Sequence, residues 1–249
     1  MKMKFKKKIF LVSLASFALF CMLSACTANA ISKSANEIKS ESGGNAMSVK
    51  IKYMGQGTAR ITTEDNKVIY IDPYAGDDYS SAADLILETH DHFDHSQLDL
   101  VSNRNADCKI ITEKDALVNG EHKTFDLPFV KVIAVEAGNN KNHDINKCVG
   151  YVLEFKNGIK VYFSGDTSKT KQMSEMASMN IDYAFFCTDG KYNMGNEEAA
   201  ECAKLVQAKH NIPYHNDPGE GIHFNRKLAE EWTAPNKLIV DVNEEIVLK

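Results

Sequence analysis

The sequence predicts a mixed α/β (α+β) domain in which helices cover β-sheets. Three observations point there. Short apolar blocks with strand-like patterning come first, and strands then alternate with helical segments. Two of the blocks flank Asn157-Gly158, a hairpin signal because both turn positions need φ > 0. The composition is ordinary for a globular protein, with 43% hydrophobic and 25% charged residues, 14 Gly and 5 Pro in 249 residues. Those values exclude collagen-like, low-complexity and wholly disordered chains, and the length suffices for a core of its own.

The first 25 residues read as an export signal. Lys2, Lys4, Lys6, Lys7 and Lys8 precede an apolar run from Ile9 to Leu23. Small residues follow, in Leu23-Ser24-Ala25-Cys26. This ending resembles a bacterial lipobox, which implies that Cys26 becomes the lipidated first residue of the mature lipoprotein. The alternative is an uncleaved anchor. Either way the domain is expected outside the cytoplasm, in the cell envelope, tethered to a membrane. Each buried CH₂ of an acyl chain contributes about 0.8 kcal/mol to such a tether. Residues 26–47 are polar and Gly/Ser-bearing, as a flexible tether is. The net charge is −5, and without the five leading lysines 24 basic residues face 34 acidic ones. An acidic body excludes a nucleic-acid groove, which needs a basic face.

The folded part is expected to begin near Ser48 and to run as one domain to residue 249, since no repeat and no second linker interrupts it. Val49 to Met54 alternates apolar and polar residues, as a half-buried strand does. Val68–Ile71 is a second strand, ended by Asp72-Pro73. Asp84 to Thr89 is a mostly apolar strand that runs into a histidine cluster. Tyr151–Phe155 and Ile159–Phe163 form the hairpin, and Asp182–Cys187 is a buried strand. Met173, Met176 and Met179 suggest the core face of a helix after Thr167, or a soft pocket wall. Asn196 to Lys209 is the clearest helix, with Asn196 as its cap and Ala199, Cys202, Ala203 and Val206 on one face. Lys227–Trp232 suggests a last short helix.

The chemistry concentrates in Thr89-His90-Asp91-His92-Phe93-Asp94-His95. In an extended segment His90, His92 and Asp94 point to one side and His95 to the other, so one loop can serve two adjacent metals. Imidazole and carboxylate suit Zn²⁺, Mn²⁺ or Fe. A chance match to these four positions is on the order of one in a thousand or less.

H-x-H-x-D-H after a hydrophobic strand resembles the metallo-β-lactamase superfamily. Further segments resemble it in order. They are Asp72-Pro73-Tyr74, His143 before Cys148-Val149-Gly150-Tyr151, Ser164-Gly165-Asp166-Thr167, Met194-Gly195-Asn196-Glu197-Glu198-Ala199, and Ile212-Pro213-Tyr214-His215. The pattern is nearest to the branch of ascorbate-6-phosphate lactonase-like proteins. The resemblance implies a four-layer αββα sandwich with a metal site at one edge. It implies that His90, His92 and His143 bind one metal. Asp94, His95 and His215 bind a second, and Asp166 lies between the two. Two cations about 3.5–4 Å apart need such a shared anion, and they give a bridging hydroxide at neutral pH. The implied activity is a metal-dependent hydrolase, with Zn first and Mn or Fe as alternatives. Its hydroxide attacks an ester, lactone or phosphoester, and Asp94 orients it or shuttles its proton.

Three other readings stay open. The phrase from His90 to Asp99 also resembles phospholipase D-type members that cut lipid phosphodiesters. A membrane tether makes a lipid substrate reasonable beside a small molecule. A surface lipoprotein that binds metal or ligand without catalysis is another reading. A diiron redox protein would resemble H-x-E-x-D-H, but His92 stands where its glutamate would be.

The remaining residues have plainer expectations. His122 is expected at the surface, His210 as a helix-end cap, and Asp72 as a turn residue. His223 either lines the pocket or packs elsewhere. Gln56 stands where related proteins often carry histidine and is not assigned as a ligand. Asn216-Asp217-Pro218-Gly219 replaces a common tyrosine after the last histidine. Cys108, Cys148, Cys187 and Cys202 either pair as disulfides or remain buried thiols; with no C-x-x-C, a zinc ribbon or thioredoxin-type site has no support. Neither G-x-S-x-G nor H-E-x-x-H occurs, which removes serine-hydrolase and zincin readings.

Overall fold

A computed structural model describes residues 48–249. The expected signal (1–25), Cys26 and the tether (26–47) lie outside the described residues. Fourteen strands and three α-helices follow in order among them. They are β1 Lys50–Gly55, β2 Thr58–Thr62, β3 Val68–Ile71, β4 Ala83–Leu87, β5 Arg104–Ile111, α1 Glu113–Ala116, β6 Leu117–Val118, β7 Glu121–His122, β8 Thr124–Leu127, β9 Val130–Glu136, β10 Val149–Phe155, β11 Lys160–Phe163, β12 Tyr183–Cys187, α2 Asn196–Val206, β13 His210–Tyr214, α3 Arg226–Glu231 and β14 Glu245–Val247.

Two six-stranded sheets carry the fold, in the orders β14-β1-β2-β3-β4-β5 and β13-β12-β11-β10-β9-β8. Each sheet starts as an antiparallel meander and ends in parallel pairs, β3-β4-β5 and β11-β12-β13. Register aligns Ile51, Ile61, Ile69 and Leu85 as one row across the first sheet. Val132, Leu153, Val161 and Tyr183 form the matching row across the second. Both rows belong to a single buried cluster. Each fully buried aliphatic side chain there contributes about 1.5–3 kcal/mol. β4 and β12 are buried at every position, so, apart from Asp84, they read as apolar runs rather than alternating strands.

Outside the second sheet, α2 buries Ala199, Ala200, Cys202, Ala203 and Val206. Outside the first sheet the cover is mostly irregular. Met54, Tyr70, Ala83, Ile86 and Val101 form a small cluster there. Tyr79 packs on Tyr70 at 5.4 Å between ring centroids.

The structure corrects several expectations. Residues 172–174 and 176–179 are 3₁₀ turns, not an α-helix. A 3₁₀ turn has three residues, so methionines spaced by three line up, and Met173 and Met176 are buried. α2 ends at Val206, where Gln207 adopts a left-handed cap. His210 is therefore the first residue of β13, stacked on Tyr183, and caps no helix. Gly195 occupies the N-cap position, and Asn196 instead donates its side-chain amide to the Leu228 carbonyl at 2.9 Å. His122 is half-buried on the small β6–β7 hairpin. The four described cysteines are free thiols, and Cys148, Cys187 and Cys202 are buried. Among the described residues no helix is long and apolar enough to cross a membrane.

Candidate metal centre

The ends of seven strands meet at one edge of the sandwich. Gln56 follows β1, Asp72 follows β3, His90–His95 follow β4, and His143 lies beyond β9. Asp166 follows β11, Asp189 follows β12, and His215 follows β13. Backbone bonds join these ends. His215 N–H donates to the Gln56 carbonyl at 3.0 Å, Gln56 N–H to the His223 carbonyl at 2.8 Å, and Val149 N–H to the Thr89 carbonyl at 3.0 Å. Gly165 makes one of the turns possible. Its φ is +61°, and a Cβ there would lie 2.7 Å from the Val149 carbonyl oxygen.

All seven residues expected to hold metal converge. Ligand atoms of His90, His92 and His143 lie within 4.8 Å of one another, as do those of His90, His95 and Asp166, and those of Asp94, His95 and His215. The expected extended segment is not the reason. Residues 90–95 form a turn closed by a His95 N–H to His92 carbonyl bond of 3.0 Å, so the turn and not strand parity aims the side chains. Asp166 divides its carboxylate between the two groups. Oδ1 is 3.4 Å from His95 Nε2 and 3.3 Å from His215 Nε2, whereas Oδ2 is 3.3 Å from His143 Nε2.

The donor set fits divalent cations. His90 Nε2 is buried without a hydrogen-bond partner. His95 Nε2 and His215 Nε2 face each other at 3.2 Å. Burial, with His95, His92 and His143 alongside, pushes His90 down to about 2, and burial also lowers His143, so both stand as neutral imidazoles able to donate a lone pair. Burial opposes charge on His95 and His215 as well. Asp166 overrides it in both, helped by Asp72 at His95 and by Asp94 at His215, so both are raised. Burial likewise opposes charge on Asp94 and Asp166. The neighbouring imidazoles win, chiefly His215 for both, and hold the two carboxyls below the usual carboxylate range.

Behind the cluster stand residues to which the sequence assigns no such role. Asp72 is more than a turn residue. Its carboxylate is fully buried and accepts from Thr89 N–H at 2.7 Å, Thr89 Oγ1 at 2.7 Å and His95 Nδ1 at 2.8 Å. It thus keeps His95 Nε2 turned to the site. Asn140 Oδ1 lies 3.2 Å from His143 Nδ1 and does the same for that ring. Asp189 Oδ2 is 3.7 Å from His215 Nδ1, and Asn193 Nδ2 donates to both Asp166 Oδ2 (2.8 Å) and Asp189 Oδ2 (2.9 Å). Gln56 Nε2 donates to Asp94 Oδ2 at 3.0 Å and lies 3.1 Å from His215 Nε2. Gly57 leaves room for His95, since a Cβ there would stand 2.9 Å from His95 Cε1. Gln56, Asp72, His215 and His223 all have left-handed backbone (φ +49°, +44°, +40° and +59°), so backbone strain concentrates at this edge.

The cluster floors a cavity of about 600 Å³. His223 lines it, which resolves that residue's place, as do Gln56, Tyr74, Phe93, Tyr192 and Asp217.

Comparison with known proteins matches the family model "Beta-lactamase superfamily domain" to residues 50–215, well over half of the chain. A UPF0173 metal-dependent hydrolase of Thermococcus onnurineus is 28% identical over 227 residues, covering 81% of this chain and 96% of the relative. One from Pyrococcus furiosus is 29% identical over 195 residues, covering 67% and 84%. Among solved structures, a protein of Parabacteroides distasonis assigned to the metal-dependent hydrolases superposes with a TM-score of 0.64 at 27% identity, over 77% of this chain and 92% of its own. The metallo hydrolase Igni18 of Ignicoccus hospitalis shares the fold at 20% identity (TM-score 0.63; 81% and 99% covered). Ordered ligand motifs, two facing sheets and a family match running from β1 through His215 agree: the chain belongs to the metallo-β-lactamase superfamily.

Proposed function

We propose that this metal-dependent hydrolase of the metallo-β-lactamase superfamily holds two divalent cations and cleaves an ester, lactone or phosphoester. The observation that carries the reading is Asp166, whose two carboxylate oxygens face different histidine groups at 3.3–3.4 Å. His90, His92 and His143 would hold one cation, and Asp94, His95 and His215 the other, with Asp166 shared. Such cations supply Lewis acidity and bring the pKa of a water to near neutrality. Zn²⁺ suits this imidazole-rich set, with Mn²⁺ and Fe as alternatives.

The chain's own groups do the rest. Asp94 is 32% exposed on its side chain, reaches the cavity and is steadied by Gln56. It takes a proton from the attacking water and returns it to the leaving oxygen. The water oxygen adds to the acyl or phosphoryl centre, the bond to the leaving oxygen breaks, and that oxygen departs protonated. Asp72 and Asn140 keep the imidazoles of His95 and His143 oriented throughout.

The test is metal content and turnover of the metal-loaded protein against lactones, esters, phosphodiesters and β-lactams. Turnover lost in Asp94→Ala supports the reading. Two bound metals with no turnover across the panel would sink it in favour of a non-catalytic binding lipoprotein. Phosphatidate release from phospholipids would instead favour the phospholipase D-type reading. Leu98, part of the phrase that suggests that reading, packs outside the first sheet rather than in the cavity. We also propose an exported, membrane-tethered protein. Failure of the natural protein to incorporate labelled palmitate would refute the lipid tether, and label that persists in Cys26→Ser would refute Cys26 as its site.

A further inference from the structure

The cavity mouth is aromatic. Seven large apolar side chains are exposed among the described residues, and two of them line this cavity: Phe93 (71%) and Tyr192 (42%). Phe93 stands between His92 and Asp94 in the ligand turn. Its ring meets Tyr74 edge-on at 5.7 Å, and Tyr74 meets His223 edge-on at 5.6 Å. Three rings therefore make one wall rising from the metal ligands. Tyr192 lines the same cavity, and Ile222 sits between the lining residues Gly221 and His223.

These positions are braced. The Asp217 carboxylate accepts N–H bonds from Gly219 (3.0 Å), Glu220 (2.6 Å) and Ile222 (2.9 Å), fixing the segment that presents His223. Asp189 Oδ1 accepts from Tyr192 N–H at 2.6 Å, and Asn142 donates to the Tyr192 carbonyl at 2.8 Å. Exposed aromatic rings on braced backbone, beside reacting groups, mark a surface completed by a bound apolar group.

Charge narrows that group further. Asp94, Asp166 and Asp217 line the cavity, and no lining residue is Lys or Arg. The adjacent Lys191 places its ammonium over the Tyr192 ring at 4.8 Å. Along the wall of Tyr74, Phe93 and His223 an anionic tail would find no lysine or arginine to pair with, since the one ammonium nearby, that of Lys191, lies beside Tyr192 and Gly219.

We propose that the wall of Tyr74, Phe93 and His223, faced by Tyr192, is the subsite for an uncharged apolar acyl or aryl group of the substrate. The assignment rests on the hydrolase reading for its chemistry but not for its binding. Two measurements separate the two. N-phenylnaphthylamine, an uncharged fluorescent aromatic probe, is titrated into the full-length metal-loaded protein, into Phe93→Ser and into Tyr192→Ser. The probe binds the natural protein, and its dissociation constant rises on the order of tenfold in Phe93→Ser. In parallel, kcat/KM is compared for p-nitrophenyl acetate, octanoate and the succinate monoester. Octanoate exceeds acetate by about tenfold or more, succinate falls below both, and the octanoate-to-acetate ratio collapses in Phe93→Ser. Probe binding indifferent to both substitutions, or a preference for the charged ester, overturns the subsite. Probe binding weakened by the substitutions with no ester turned over upholds the subsite and removes simple carboxyl esters from the proposed substrates instead.

Discussion

Replacing Asp72 with Asn tests whether a buried carboxylate controls one of the two cation positions. Asp72 accepts three hydrogen bonds of 2.7–2.8 Å and its side chain has no exposed surface. Asparagine keeps the volume and tolerates the residue's φ of +44°. It retains one acceptor oxygen for Thr89 N–H but turns an amide NH₂ toward His95 Nδ1. The proton on that nitrogen loses its acceptor, and the ring loses the bond that holds Nε2 toward Asp94 and His215. A hydrogen bond to a charged group contributes about 1.5–3 kcal/mol. At about 1.4 kcal/mol per tenfold, that is about 10–150-fold in affinity, in line with about 10–100-fold for partners behind metal-binding histidines. The assay is competition for Zn²⁺ against a chromophoric chelator, which resolves two binding steps. One step is expected to weaken by that factor and the other to hold. Thr89→Val is the comparison: it removes the Thr89 hydroxyl contacts to Asp72 and to His90 Nδ1 (3.1 Å) and leaves the Asp72 to His95 contact in place, so it spares the step that Asp72→Asn weakens. Both steps unchanged in Asp72→Asn, with the fold intact by circular dichroism, would refute the orienting role.

Three more outcomes are expected. Removing metal with a chelator lowers the melting temperature: a cation present at a thousandfold above its dissociation constant stabilises by about 4 kcal/mol, or roughly 8–16 °C at about 2–4 °C per kcal/mol. Equal melting with and without chelator would contradict a built cation site. Gly165→Ala destabilises by about 1–3 kcal/mol from its left-handed backbone alone, and by more from the overlap with the Val149 carbonyl oxygen, read as a lower urea midpoint. Asp84 gives the pH dependence. Burial opposes its charge, but Val68 N–H, the Lys67 ammonium and Asn105 hold its carboxyl below the usual range. A folded pKa below the unfolded one means its stabilisation is present above about pH 4 and is lost as pH falls through the folded value. The difference in urea midpoint between the natural protein and Asp84→Asn therefore narrows as pH drops from 5 toward 3; a constant difference would contradict it.

Much of the site is local in sequence. His90, His92, Asp94 and His95 lie within six positions, and their residue types name the chemistry before any contact is known. Strands whose two faces are buried announce themselves by apolar runs, unbroken in β12 and interrupted only by Asp84 in β4. The hairpin at Asn157-Gly158 follows from two residues whose backbone freedom permits its turn. By contrast β5 is exposed along most of its length, and Asn105, Asp107 and Lys109 alternate with only the small Ala106 and Cys108 and with Ile110, so its apolar stripe is weak and its pairing with β4 decides it. β14 has three residues and exists only by pairing with β1.

What sequence alone determined was the set of groups able to bind cations, because ligand chemistry belongs to side-chain type and short spacing. What the tertiary structure decided was which buried groups aim them. Asp72 reads as a turn residue until β3 and β4 lie side by side and bring it to Thr89 and His95. Asp189 and Asn193 reach Asp166 and His215 only where the ends of β11, β12 and β13 meet. Gln56 and His223 become neighbours through a backbone bond between segments more than a hundred residues apart. A buried carboxylate orients an imidazole through hydrogen bonds of under 3 Å, and that precision comes from packing two sheets, which no local pattern encodes.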